Sequence, residues 1–353
     1  MLRVYVGTYT EGSEAGSKGI YVVDFNNRTG ELSNVCLAGE ISNPSFLAVD
    51  PSGRRLYSVS ENDEANAFLV GWAIEPDGRL REIGRAATGG GAPCFVAIHS
   101  GNRQALVANY SGGSVALFAL DASGAPRRLD LLRHQGRSVN PQRQMSPHAH
   151  AVQYESNPQR ALVADLGTDE LLAVDISDTG RMRLNPPRTL KFLGGSGPRH
   201  FAFAPEGPFV LVLQELASKI TVLRDHGEDF ESIGQYSTLP KDFSEENSTA
   251  EILFHPRGRF VYASNRGDDS LAVFRFDPVS GVMSALGHVK TGGKTPRNFR
   301  LSPDGNWLLA ANQDSDTLVV FRVGSDGIPV PTPSQVSIPK PVCLKFAVES
   351  RVR

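Results

Sequence analysis

Short apolar segments alternate with turns along the whole chain, and they recur in groups at a spacing of roughly fifty residues. Each group opens with a segment such as FLAV, FVAI or FAFA, turns, and continues with a second apolar segment that ends on a polar residue. A third apolar segment and a more polar fourth one follow. Short runs rich in branched and aromatic residues, bounded by turn residues, are typical of strands rather than helices. The pattern therefore predicts four antiparallel strands in each repeat.

The turn between the first two strands of a repeat usually contains Gly or Asn at the same position. It holds Gly53, Asn102, Gly207, Gly258 and Gly305 in five of the repeats. Gly and Asn are the residues that best tolerate a positive φ, and hairpin turns require one. This column indicates that the first two strands of each repeat form a hairpin.

Repeats of four antiparallel strands are typical of β-propeller blades. Blades one to seven begin at Pro44, Pro93, Pro147, Pro198, Thr249, Pro296 and Pro341. The seventh stops after its first strand, and the N-terminal segment RVYVGTY (residues 3–9) matches the missing second strand. We therefore predict an all-β, seven-bladed propeller that spans residues 1–353 as one domain and is closed by the N-terminal strand joining the C-terminal blade. Closure of this kind hides an otherwise exposed strand edge. An open solenoid and a different blade count are the alternatives.

The repeat also predicts which residues share one mouth of the central channel. The first strand of a blade lines the channel and the second runs antiparallel to it, so the start of the first and the end of the second lie at the same mouth. The residues after the blade starts are Ser45, Cys94, His148, Arg199, Ala250, Arg297 and Val342. The residues that end the second strands are Tyr9, Glu61, Tyr110, Leu166 or Asp165, Glu215, Arg266 and Gln313.

Apart from Glu61 and the alternative Asp165, the charged members of these two sets form the candidate site. They are Arg199, Arg266, Arg297, Glu215 and His148. Guanidinium groups bind carboxylate or phosphate in a bidentate manner, and neighbouring charges tune a histidine for proton transfer. A wet channel rim can carry any one of these charges without a function, but their convergence in neighbouring blades favours a site for a small anionic molecule.

A metal site is the competing interpretation of the same residues. His148 and His150 are two apart on a predicted strand, so they would point the same way and could share a metal ion. Carboxylates of Glu61, Asp165 and Glu215 could hold Ca²⁺ at the channel axis. The arginines among them would repel a cation, and the histidine pair has no evident third ligand. We expect no metal and no cofactor.

Two further residues lie next to the candidate site in the sequence. His200 directly follows Arg199, so strand alternation predicts that its ring points away from the channel and packs between blades. Cys94 occupies a channel position, but the sequence offers no base beside it except His148 of the next blade. We expect it to be a packing residue.

Charge and cysteine content limit the possible partners and the compartment. The net charge of −2 at pH 7 argues against nucleic acid or a membrane surface as a partner. Three widely spaced cysteines without a CxxC pair favour a reducing compartment. The N-terminus lacks the pattern of a signal peptide, and no apolar run is long enough to cross a membrane. We expect a cytoplasmic monomer or weak homo-oligomer.

Six segments of the chain resemble the lactonase family of seven-bladed propellers. They are GTYT (7–10), SPHAHAV (146–152), GSGPRHFAFAPEG (195–207), LQEL (213–216), SNRGDDSLAVF (264–274) and TPRNFRLSPDG (295–305). The best-known members of that family are propeller-type 6-phosphogluconolactonases, and fungal carboxy-muconate lactonising enzymes share the fold. The resemblance carries the family's site residues onto His148, Arg199, Glu215, Arg266 and Arg297. Gln214 departs from the Asn that is usual in the family.

The resemblance implies hydrolysis of a sugar-acid lactone, with 6-phosphogluconolactone of the pentose phosphate route as the small anionic substrate. Arg266 and Arg297 would hold the phosphate or ring oxygens, Arg199 would stabilise the oxyanion, and His148 would act as general base. Glu215 would orient His148 or keep the arginines in register. A muconate-type lactonising cycloisomerase, a non-enzymatic binding scaffold and a metal-dependent lactonase stay open. Two longer loops, residues 134–146 and 237–248, are candidate lids because each precedes the first strand of a blade.

Overall fold

The computed structural model describes residues 1–11 and 16–347, which form seven antiparallel sheets around a central channel. The predicted seven-bladed propeller is confirmed. Blade one contains β4 (Leu47–Val49), β5 (Arg55–Ser60), β6 (Phe68–Ile74) and β7 (Leu80–Ala87). Blade two contains β8 (Pro93–Ile98), β9 (Gln104–Asn109), β10 (Ser114–Leu120) and β11 (Pro126–Arg133). Blade three contains β12 (Ala149–Tyr154), β13 (Arg160–Asp165), β14 (Glu170–Ile176), β15 (Met182–Leu184) and β16 (Leu190–Lys191).

The remaining four blades follow the same plan. Blade four contains β17 (Pro198–Phe203), β18 (Phe209–Gln214), β19 (Lys219–Asp225) and β20 (Phe230–Ser237). Blade five contains β21 (Thr249–Phe254), β22 (Phe260–Asn265), β23 (Ser270–Phe276) and β24 (Met283–Lys290). Blade six contains β25 (Pro296–Leu301), β26 (Trp307–Asn312), β27 (Thr317–Val323) and β28 (Pro329–Ser337). Blade seven contains β29 (Pro341–Ala347), β1 (Leu2–Thr8), β2 (Gly19–Phe25) and β3 (Leu32–Glu40). Within the described residues, three single-turn 3₁₀ helices lie in loops at Glu64–Asn66, Pro186–Arg188 and Gln313–Ser315.

The ring closes through blade seven, as predicted. Strand β1 pairs with β29 on one side and with β2 on the other, and Val4 lies opposite Phe346. The inner strand β29 also contacts the inner strand β4 of blade one, so the circle of inner strands is complete. Val4, Val6 and Leu344 are fully buried in the core of this joint blade. Apolar burial thus holds the two distant segments together.

Buried tyrosines tie neighbouring blades to each other. The Tyr5, Tyr57 and Tyr262 side chains are buried on second strands, and each hydroxyl donates to a backbone carbonyl in the outer turn of the next blade. Those acceptors are Gly78, Gly124 and Gly327, at 2.9, 3.0 and 2.8 Å. Burial raises the pKa of Tyr5 and Tyr57 to about 12. A buried hydroxyl needs such a partner, so these bonds add specificity to the apolar contact between blades.

A bulge near the start of the first strand sets which residues reach the channel. In blade four the pairing jumps from Pro198 opposite Gln214 to His200 opposite Leu213, which leaves Arg199 as an extra residue. Similar shifts occur in blades two, three, five and six. A bulge interrupts side-chain alternation, so consecutive residues can face the same side. The prediction that His200 points away from the channel is therefore wrong.

The bulge also corrects the alignment of blade three. Ala149 lies opposite Asp165, as Pro198 lies opposite Gln214, so the position equivalent to Arg199 is His150 and not His148. Pro147 had been aligned with the prolines that begin other blades, but here the strand begins two residues later. His148 belongs to the preceding loop. Strand β13 ends at Asp165, and Leu166, which follows it as Glu215 follows β18, donates from its backbone nitrogen to the His148 carbonyl.

No helix within residues 1–11 and 16–347 has the length and apolar character that crossing a membrane would require.

Candidate active site

Glu215 is the centre of a buried cluster of arginines at one mouth of the channel. Its Oε2 lies 2.9 Å from Nε of Arg199 and 3.0 Å from Nη2 of Arg266, and its Oε1 lies 2.7 Å from Nη2 of Arg143. Glu215 follows β18, Arg199 lies in the bulge of β17, and Arg266 follows β22 of the next blade. Three guanidinium groups surround one carboxylate, so the cluster has an excess of positive charge. An anionic ligand at this mouth would balance it.

The pKa values of the carboxylate and the guanidinium groups reflect the same excess of positive charge. Burial alone would raise the pKa of Glu215, but the charges of Arg266, Arg199 and Arg143 outweigh it and lower this pKa to about 2. Burial lowers the pKa of Arg266 to about 9, against the opposing charge of Glu215. Burial and the charge of Arg297 also lower the pKa of Arg199. Glu215 is therefore ionised at neutral pH and holds the guanidinium groups in place.

Arg297 belongs to a second, adjacent group. Its Nη2 donates to the Tyr9 hydroxyl at 2.8 Å, and its guanidinium carbon lies 5.2 Å from the centre of the Tyr9 ring. The same hydroxyl lies 3.1 Å from both carboxylate oxygens of Glu61. Burial raises the pKa of Glu61, and the charge of Arg297 opposes this only in part. Tyr9 thus accepts a hydrogen bond from Arg297 and donates one to Glu61.

Replacing Tyr9 with Phe is expected to loosen Arg297. The substitution removes a hydrogen bond to a charged group, worth about 1.5–3 kcal/mol. We expect KM for an anionic lactone to rise about tenfold or more, with kcat changing less, in steady-state assays. Tyr21→Phe is the matched control, because within the described residues the Tyr21 hydroxyl makes no hydrogen bond. An unchanged KM in the Tyr9 variant would show that Arg297 does not need this support.

His148 lies beside the arginine cluster with one ring nitrogen available. Its Nδ1 is 3.0 Å from the Tyr110 carbonyl oxygen, and its ring stacks on the Tyr110 ring at 4.4 Å between centroids. A carbonyl only accepts, so Nδ1 carries the proton and Nε2 of the neutral ring has a free lone pair. The ring is half-buried. This geometry suits a general base.

Glu215 does not contact His148 within the described part of the chain. The connection runs through Arg143, which donates to the Tyr110 hydroxyl at 3.3 Å and to Glu215. Tyr110, by its ring and its carbonyl, is the residue that orients His148. Of the two roles that the sequence suggests for Glu215, its contacts match the holding of arginines in register.

Arg143 is the site residue that the sequence reasoning missed. It lies in the loop of residues 134–146, which the sequence marked only as a candidate lid. His134 Nε2 lies 2.9 Å from Asp165 Oδ2, and Gln144 donates to the Leu166 carbonyl, so the loop is fixed against blade three. A loop outside the repeat cannot be aligned with other blades. The sequence of this loop therefore does not indicate which of its arginine side chains points towards the channel.

The comparisons with known proteins agree with this architecture. The family model described as "Lactonase, 7-bladed beta-propeller" matches residues 3–346. The chain belongs to this family of lactonases. The 6-phosphogluconolactonase of Bacillus subtilis is 32% identical to it over 97% of each chain. The protein of the same name from Formosa agariphila is 30% identical, over 90% of this chain and 92% of that one.

Solved structures of similar proteins have the same fold over almost the entire length. The periplasmic gluconolactonase of Pseudomonas aeruginosa superposes with a TM-score of 0.93 at 30% identity, over 98% of this chain and 99% of that one. A 6-phosphogluconolactonase candidate from Bacteroides fragilis gives 0.91 at 31% identity, over 98% and 97%. The family resemblance found in the sequence is thereby confirmed.

A second layer of polar side chains lies deeper in the channel of this lactonase. The His150 ring is 5.3 Å from the His200 ring, and its Nδ1 is 3.8 Å from Cys94 Sγ. Burial lowers the pKa of His150 well below its ordinary value, and the charge of Arg199 acts in the same direction. Burial raises the pKa of the Cys94 thiol, which donates to the His150 carbonyl. Both groups are therefore neutral, and Cys94 is not an activated nucleophile.

The described residues contain no arrangement of side chains that supports a metal site. There, no group of three or more His, Cys, Asp or Glu side chains is placed to hold an ion. His148 precedes β12 and stacks on the Tyr110 ring, whereas His150 lies within β12 and meets the same ring edge-on. Glu61 and Glu215 are instead engaged by Tyr9 and by arginines.

Proposed function

We propose that this lactonase hydrolyses a sugar-acid lactone, with 6-phosphoglucono-1,5-lactone as the substrate. The observation that carries the proposal is the cluster of three guanidinium groups on the single buried carboxylate of Glu215, beside Arg297 and the free Nε2 of His148. This combination provides anion binding and a proton acceptor at one mouth. Hydrolysis of an ester needs little more than these when the groups are correctly positioned.

Accessibility divides the arginines into two roles. The side chain of Arg199 is only 3% exposed, and it is already used by Glu215 and by the Ala250 carbonyl. Arg266 and Arg143 are 14% and 39% exposed, so they can touch a substrate. We therefore assign the oxyanion to Arg266 in place of the Arg199 expected from the sequence, and give Arg199 the task of positioning Glu215.

The chemical step then follows from the geometry. His148 Nε2 removes a proton from a water molecule as the water oxygen bonds to the lactone carbonyl carbon. The carbonyl oxygen becomes an oxyanion beside Arg266, the bond from that carbon to the ring oxygen breaks, and the ring oxygen takes a proton from the imidazolium. Arg143 and Arg297 hold the phosphate at the other end of the substrate.

The decisive assay compares freshly prepared 6-phosphogluconolactone with gluconolactone, after subtraction of spontaneous hydrolysis. We expect kcat/KM to favour the phosphorylated lactone by about ten- to a hundredfold, the value of one or two charge-assisted contacts. Arg143→Met and Arg297→Met should reduce that preference and leave the rate on gluconolactone nearly unchanged. Equal rates on both lactones in the unmodified protein would contradict the phosphate assignment. Turnover of a muconate-type diacid in place of both would indicate the cycloisomerase.

The compartment is part of the same proposal. Cys36, Cys94 and Cys343 are all free thiols, and Cys36 is exposed. Free thiols fit the cytoplasm, where a phosphorylated sugar lactone would be met. Cell fractionation with an antibody to the native chain would test this.

A further inference from the structure

The opposite mouth of the channel contains a second depression that the proposed reaction does not use. Two adjoining cavities of about 420 Å³ each open there, and both are bounded by Leu253, Phe254, Arg300 and Lys345. These residues lie in the later halves of inner strands, whereas the candidate active site lies where inner strands begin. None of the residues assigned to lactone hydrolysis lines either cavity.

A closed layer of side chains separates the two mouths. Glu251 accepts from His200 Nδ1 at 2.8 Å and from Asn298 Nδ2 at 2.6 Å, and its own strand supplies the Ile252 amide at 3.0 Å. His200, Glu251 and Asn298 are all buried. The carboxylate of Glu251 is therefore fully engaged within the layer.

Aromatic rings form the floor and the wall of the first cavity. Phe46 and Phe95 come from different blades and stack at 4.1 Å between centroids, with the His200 ring edge-on to both. Phe203 and Phe254 line the same cavity. Small-molecule sites are commonly apolar and aromatic with a few polar groups that fix the orientation of the ligand. A flat apolar body fits this lining.

Two cations lie at the boundary between the cavities, and within the described residues no carboxylate pairs with either of them. Lys345 Nζ lies 4.5 Å from the centre of the Phe46 ring. Across the described residues, neither Lys345 nor Arg300 makes a side-chain hydrogen bond or an ion pair. Burial lowers the pKa of Lys345, and the charge of Arg300 acts in the same direction. Both side chains are partly exposed at the cavity wall and lack an anionic partner among the described residues, so this pair of cations can receive an anion.

We propose that the far mouth binds a small aromatic carboxylate, with its ring against Phe46 and Phe95 and its carboxylate on Arg300 and Lys345. The single negative charge matches the site, because Glu251 already offsets one of the two cations. Arg300 and Lys345 border both cavities, so the carboxylate of one ligand can reach both cations while the aromatic ring of the same ligand occupies the first cavity. This site is independent of lactone hydrolysis and does not depend on the proposed function.

Calorimetric titration with 3-phenylpropionate tests the proposal, and its neutral amide is the matched ligand. We expect saturable binding of the carboxylate that is at least tenfold tighter than that of the amide. Lys345→Met and Arg300→Gln should each weaken binding about tenfold, with the thermal midpoint showing that each variant is folded. Arg266→Met, at the other mouth, should bind the carboxylate as the unmodified protein does.

Three results would overturn the proposal. They are the absence of saturable binding, equal affinity for the carboxylate and the amide, and an affinity that falls in Arg266→Met while Lys345→Met and Arg300→Gln bind normally. The last would place the carboxylate in the candidate active site. Because the two cation variants are independent, misfolding of one leaves the other as the test.

Discussion

Glu215→Gln is expected to destabilise the protein by about 3–5 kcal/mol and to reduce lactone hydrolysis at least about a hundredfold. The carboxylate is buried and faces Arg199, Arg266 and Arg143 at 2.7–3.0 Å. A neutral amide of the same shape leaves those guanidinium groups to repel each other with no compensating charge. The free energy of unfolding from urea denaturation and kcat/KM on the phosphorylated lactone measure the two effects.

The pH dependence of stability provides an independent readout of the same charge. The pKa of Glu215 is lowered to about 2 in the folded protein from its ordinary value of 4.5. A carboxyl group whose pKa is lower in the folded protein than in the unfolded chain stabilises the folded state at pH values above its pKa in the unfolded chain. This stabilisation is lost as the pH falls through its pKa in the folded protein. The free energy of unfolding should therefore decrease less between pH 5 and pH 2 in Glu215→Gln than in the unmodified protein.

Glu228→Gln is the control for the Glu215 substitution. Its side chain is 88% exposed and pairs with Arg160 at the surface. Exposed pairs contribute little, so stability and activity should stay close to those of the unmodified protein. If the Glu215 variant were as stable and as active as this control, the cluster would not be the organising element of the site.

His148→Ala is expected to lower kcat on 6-phosphogluconolactone by about 10²–10⁴-fold, the usual contribution of a general base. KM should change little, because the proposed phosphate contacts lie on Arg143 and Arg297. Added imidazole should restore part of the rate, since the vacated space beside Tyr110 can receive it.

His226→Ala is the matched control for His148, because its side chain is 47% exposed and far along the outer part of blade four. It should retain the full rate. A His148 variant with near-normal kcat would remove the histidine from the mechanism. Glu61, whose pKa is raised by burial, would then be the next proton acceptor to substitute.

The blade architecture could be predicted because it is repeated. Each copy carries a turn glycine or asparagine and apolar segments of strand length, so errors in one copy are corrected by the others. The same repetition aligned Arg199, Glu215 and Arg266, which contact one another in the structure. It also anticipated that the strand of residues 3–9 would complete the last blade.

Local departures from the repeat could not be predicted from the repeat itself. The bulge at Arg199 turns His200 into the channel, and a rule of strict alternation has no means of detecting it. Blade three begins at Ala149 without the usual proline, so His148 was aligned with the wrong position. Arg143 comes from a loop with no counterpart in other blades. The first two misses originate in one extra or displaced residue, and the third originates in a loop that the repeat does not contain.

The pairing of Val4 with Phe346 has a consequence for how the chain reaches its native state. Strand β1 has no inner neighbour until the end of the chain has been made, so blade seven is assembled last whatever the order of the other six. Contacts so distant in sequence are slow to form, and the unpaired edges of β1 stay open meanwhile. We therefore expect a longer-lived open edge to lower the yield of soluble protein during synthesis.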